Sequence, residues 1–156
     1  MARGTATVFD EFLPFMNNGA ATVDAAAVNL DADVFKIKLS SIAIGSIPAS
    51  YATPNESDFT EVSPAGGGYT AGGATATLTV AEAGGTLTVS LASNVVWTSA
   101  GSGGPTDIKT AILYSTTHTG SNDAVCVIDL TDDGTTALDL NTGDITINAG
   151  TLFTIA

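Results

Sequence analysis

Residues 34–42 read VFKIKLSSI, and their alternation decides the fold class. Phe35, Ile37 and Leu39 fall on one side of an extended chain and Lys36, Lys38 and Ser40 on the other, because successive side chains of a strand point to opposite faces. The pattern predicts a strand with one face in the core and the other wet. Towards the C-terminus, residues 76–81 and 86–91 form a pair joined by 82–85, with Leu87, Val89 and Leu91 on one face of the second member, which reads as a β-hairpin. Residues 95–98 are a short strand containing the single tryptophan, Trp97, an expected core anchor. A flexible loop at 101–105 precedes a strand at 110–116. Residues 124–130 are apolar throughout except for Asp129, as expected of a strand covered on both faces, and strands at 145–147 and 152–155 close the chain. About eight strands separated by Gly, Asn and Asp turns describe an all-β fold, an antiparallel sandwich or barrel. Phe35, Ile37, Leu39, Leu87, Val89, Trp97, Leu113, Val127 and Ile147 are its expected core. The last strand is expected to be paired inside a sheet.

Towards the N-terminus the signals change. Thr7 could cap a short helix in which Phe9, Phe12, Leu13 and Met16 follow the i, i+3, i+4, i+7 spacing of one apolar face, although Pro14 would kink it. With Phe15, these side chains either cover one end of the barrel or form an arm that docks on a neighbour. Residues 20–33 are Ala-rich and acidic without a clear period, so 1–33 is read as helix or arm plus loop and 34–156 as a single β-domain. Pro48, Pro54 and Pro64 mark 46–64 as an extended excursion over the surface, and 66–73 is a glycine-rich turn.

Composition bounds the function. The 156 residues suit one domain that buries roughly 70% of the surface its unfolded chain exposes. Sixteen Asp and Glu against four Lys and Arg give a formal charge of −12. Such a surface repels phosphate, which disfavours nucleic acid and anionic membranes as partners. No stretch approaches the roughly 20 apolar residues of a spanning helix, and 9–16 is interrupted by Asp10, Glu11 and Pro14, unlike a signal peptide. A soluble product made in the cytoplasm is expected. Cys126 is the only cysteine and sits among Val125, Val127 and Ile128, which reads as a small buried hydrophobe.

Catalytic constellations are sparse. His118 is the only histidine and lies in a polar run, with no partner for acid–base chemistry or a zinc site. No pair of carboxylates is marked out for glycoside hydrolysis. The glycine-rich turn lacks the lysine of a phosphate loop and precedes a strand. In DLNTGD, Asp139, Asn141 and Asp144 begin like a calcium loop, but the sixth and twelfth positions hold Asp144 and Gly150 instead of glycine and glutamate. Turn geometry is the simpler reading there, and for Asp132 and Asp133 before Gly134. No enzyme, cofactor or metal is expected.

Several segments in fixed order carry a family resemblance: DVFKIKLSS at 33–41, GGGYTAGGATATL at 66–78, SNVVWTSAG at 93–101, TAILYSTTHTGSNDAVCVIDL at 110–130 and ITINAGTLFTI at 145–155. Together with the aromatic N-terminal segment, this resembles the small tailed-phage virion proteins of the capsid decoration (cement) or head structural type. The chain departs from that pattern by a longer segment around 14–32 and by the excursion at 46–64. The resemblance implies a non-enzymatic structural protein on the outer surface of the capsid, bound to the major capsid protein. Self-association as a homotrimer follows from the three-fold positions of a capsid lattice. Phe9, Phe12, Leu13, Phe15, Met16, Ile47, Tyr51, Phe59 and Tyr69 are the expected contact residues. Another virion part (tail tube, baseplate or head fibre base) is the main alternative; a glycan-binding sandwich displaying Tyr51, Tyr69 and Tyr114 is a third reading.

Overall fold

In the computed structural model, which describes residues 6–9, 28–30, 32–48, 54–63, 67–117 and 123–156, alternating sequence becomes strand almost wherever it was expected. Among the described residues the strands are β1 (Ala6–Val8), β2 (Phe35–Ser40), β3 (Ala74–Ala76), β4 (Leu78–Ala83), β5 (Thr86–Leu91), β6 (Val95–Trp97), β7 (Thr110–Ser115), β8 (Ala124–Asp129), β9 (Ile145–Ile147) and β10 (Gly150–Ile155). All pair antiparallel, in sheets ordered β1-β8-β7-β2-β3, β10-β5-β4 and β6-β9. The protein is an all-β sandwich.

The period of two explains the layers. On the inner face of the five-stranded sheet, Phe35, Ile37 and Leu39 of β2, Ala111 and Leu113 of β7, and Cys126 and Ile128 of β8 share a core with Val89 and Leu91 of β5, Leu152 and Phe153 of β10, and Trp97 and Ile147 of β6 and β9. Of the expected core, Leu87 is half-buried against this cluster and Val127 is buried in a second layer on the other face of the sheet; the rest are buried here. A β-bulge helps: Leu113 faces Cys126 but Tyr114 faces Ala124, so Val125 is the extra residue and also enters the inner core.

The expected hairpin is present as β4 and β5, closed by Gly84 and Gly85 at φ 61° and 85°. Two consecutive positive φ values are what a type I′ turn requires, and only glycine takes them without a Cβ penalty. β3 and β4 are one extended stretch that leaves the five-stranded sheet and joins the three-stranded one at Thr77, whose carbonyl accepts from Ala92 N. The closing strand β10 is paired in a sheet, as expected, but at its edge: among the described residues its one strand partner is β5.

Two further expectations are corrected. Thr7 is not a helix cap: it lies in β1, opposite Val127 of β8, and three residues are too few for a strand period to compete with the apparent helical spacing that follows. The rest of that spacing, through Phe12, Leu13, Phe15 and Met16, lies outside the described residues. The outer face of β2 is not wet either. Lys38 and Ser40 are buried there, beside an apolar layer in which Phe9 and Phe59 pack on Ile112, Tyr114, Ala124 and Val127, with Ile42, Ile44 and Ile47 at its margin. The Phe9 and Phe59 ring centroids are 5.4 Å apart.

Candidate functional site

The polar groups best placed for chemistry gather on this outer face. Strand parity puts Lys38 there, and the Pro-rich excursion is folded back over it. A 3-10 turn at Glu56–Asp58 starts with a reciprocal cap: Ser57 N donates to Asn55 Oδ1 at 3.0 Å and Asn55 N to Asp58 Oδ2 at 2.9 Å. This turn aims Glu56 inward. Lys38 Nζ donates to the Glu56 carboxylate at 2.7 Å, to the Phe59 carbonyl at 3.0 Å and to the Glu56 carbonyl. Each of the three ammonium donors therefore has an acceptor.

Beyond the turn the chain runs beside β2. Ser41 N donates to Thr60 O and Val62 N to Leu39 O, which bridges Ser40 to Glu61. Glu61 then accepts from Tyr69 Oη and from Gly72 N, both at 2.6 Å, while Tyr69 Oη accepts from Leu39 N at 3.1 Å. Tyr114 Oη donates to Gly72 O at 2.7 Å. Burial, followed by the charges of Glu56 and Glu61, pushes the Tyr114 hydroxyl from 10.0 up to about 12. Burial and the bond to Glu61 push Tyr69 up as well. Both phenols are uncharged donors at neutral pH.

The glycine-rich turn is fastened rather than open. A Cβ on Gly73, at φ 73°, would lie 1.9 Å from Ile37 O, and one on Gly68, at φ 72°, would lie 2.3 Å from Thr98 O. These glycines permit backbone to approach backbone. Next to them the 98–105 and 139–144 loops are locked together. Gly104 N donates to Asn141 Oδ1 at 2.7 Å and Asn141 Nδ2 to Gly104 O at 3.1 Å; Ser99 N donates to Asp144 Oδ1 at 2.7 Å. Asp139 Oδ1 accepts from both nitrogens of Asn141.

The three residues that began like a calcium loop thus direct their oxygens at amides of the two loops, and among the described residues no group of three or more His, Cys, Asp or Glu is placed to hold a metal ion. Asp133 serves its turn in the same way. Bonds from the Thr136 hydroxyl and from the Thr136 and Thr135 amides hold its carboxyl well below the usual range. His118 lies outside the described residues.

The expected contact residues divide. Phe9, Phe59 and Tyr69 are 0%, 2% and 5% exposed, so their apolar surface is engaged inside this chain and is not offered to a neighbour. Ile47 is half-buried against the outer layer. Phe12, Leu13, Phe15, Met16 and Tyr51 lie outside the described residues. Tyr114 is 3% exposed, so neither it nor Tyr69 can display a ring to a glycan.

Sequence reasoning missed the fastening roles of Lys38, Glu56 and Glu61, and, for Asn141, which it singled out for its turn, the clasp on Gly104. For the first three a signal existed: β7 and β8 are apolar at both parities, so something had to cover the outer face, and the excursion carries Phe59. No family model, curated protein or solved structure matches the chain.

Proposed function

We propose that the protein is a non-enzymatic virion component, a capsid decoration protein that binds the major capsid protein from outside and stabilises the shell. The observation that carries this reading is how the described residues use their reactive groups. Lys38, Glu56 and Glu61 fasten a long excursion to the sheet, and Asp139, Asn141 and Asp144 fasten two loops to each other. A chain that turns its ionisable and amide groups into internal fasteners gains a rigid scaffold, which suits a part that bears load. The ordered segments resembling phage head proteins support the same reading. Charge gives it a direction: packaged DNA lines a capsid interior, and a chain of −12 is repelled from it, so the outer face is favoured. No cofactor is called for.

The test is co-sedimentation of the purified chain with emptied, mature tailed-phage shells and with isolated tails. Saturable binding to shells, together with a rise in the temperature at which they rupture, is expected. Binding to tails alone, or to neither, would refute the reading.

A further inference from the structure

Among the described residues β4 pairs with β5 alone. The two-residue turn makes Ala83 and Thr86 a hydrogen-bonded pair, and bonding alternates along an antiparallel ladder, so Thr79, Ala81 and Ala83 direct N–H and C=O at β5. Leu78, Val80 and Glu82 direct theirs outward. Among the described residues β1 lies beside β10, β3 lies beside β6, Glu61 bridges to β2 beyond the end of β3, and β9 is only three residues long. Among the described residues no second strand pairs with β4, and its own edge protection is slight. It contains no proline or lysine, its register with β5 is unbroken, and its one charge, Glu82, turns back to accept from Gly85 N at 2.8 Å.

We infer that β4 pairs with β4 of a second copy of this chain, antiparallel about a two-fold axis at Val80, joining the β10-β5-β4 sheets of the two copies. The sequence matches itself in this register. Val80 faces Val80, Leu78 faces Glu82, and every outward backbone group meets an outward group, giving about six hydrogen bonds. Thr79 faces Ala81, small enough for the close non-bonded pair. Centring on Glu82 would set two carboxylates opposite each other. Centring on Val80 places them four residues apart, roughly 13 Å, beyond a Debye length of about 8 Å. Because this edge is nearly uncharged while each copy carries −12, pairing strengthens as salt is added. The inference stands apart from the virion reading, and it predicts that free chains associate in twos, not in the threes expected from lattice positions.

Sedimentation velocity of the full chain over a concentration series reads this out. A monomer–dimer equilibrium is expected. Val80→Pro removes an outward N–H and no internal ladder bond, and should weaken dimerisation at least tenfold. In the bonded register the two Cα atoms at position 80 are about 5.5 Å apart, within disulfide reach, so Val80→Cys should give a covalent dimer on mild oxidation while Glu82→Cys gives none. Cys126 is buried and does not compete. Should Val80→Pro fail to fold, the two cysteine variants decide. A chain that stays monomeric to millimolar concentration, a trimer, a dimer indifferent to these substitutions, or a β4 that captures only a strand from a shell subunit would overturn the inference.

Discussion

Replacing Lys38 by methionine keeps an unbranched side chain of similar length but withdraws the ammonium from the outer face. The side chain is 2% exposed and its partner Glu56 is 26% exposed. Losing one member of a buried ion pair costs about 3–5 kcal/mol, and the access of water to Glu56 places this case near the lower end, at about 3 kcal/mol. For a chain of 156 residues that corresponds to a Tm lowered by about 6–12 °C. The loss is also local, because Lys38 ties the 3-10 turn to the sheet, so limited proteolysis should cut within 54–61 well before the variant unfolds. Denaturant titration gives the energy and mass spectrometry of the fragments gives the place. The pair of half-buried Lys109 with exposed Asp107, at 2.8 Å, is the control: Lys109→Met should change stability by less than about 1 kcal/mol. A Lys38→Met protein within about 0.5 kcal/mol of the parent, with 54–61 still resistant, would refute the fastening role.

Gly73→Ala forces a Cβ against the Ile37 carbonyl at positive φ and should cost more than about 2 kcal/mol, whereas Gly45→Ala, with nothing within 4 Å, should be nearly neutral by the same denaturant titration. Asn141→Ala removes the clasp on Gly104 and should cost about 2 kcal/mol while exposing 98–105 to hydrogen exchange. Tyr114 has a folded pKa raised above its unfolded value, so its contribution is complete below pH 10 and is lost as pH rises towards about 12; alkaline melting curves should show stability falling across that window. Cys126, fully buried, should resist thiol reagents in the folded chain and react on unfolding.

What the sequence made legible depended on whether a residue's neighbour was local. The β4–β5 hairpin was readable because Leu87, Val89 and Leu91 keep a period of two right up to a Gly-Gly turn. β8 was readable because a run of apolar residues at both parities has to be covered twice. Lys38 was not, since a lysine at an alternating position looks the same whether it meets water or Glu56, and the partner sits 18 residues away in a segment without strand period. Phe59 and Tyr69 were read as contact residues for the same reason. Their segments are irregular, and irregular segments are usually at the surface, but here one is folded over a sheet whose outer face is apolar. The strand at Ala6–Val8 is too short to announce itself, and only its register against β8 reveals it.

Electron cryo-microscopy of emptied tailed-phage shells incubated with the purified chain would show where it binds. Density for this sandwich is expected at regular lattice positions on the outer surface of the shell. Bare shells beneath saturating protein, or density confined to the interior or the tail, would contradict the proposed function.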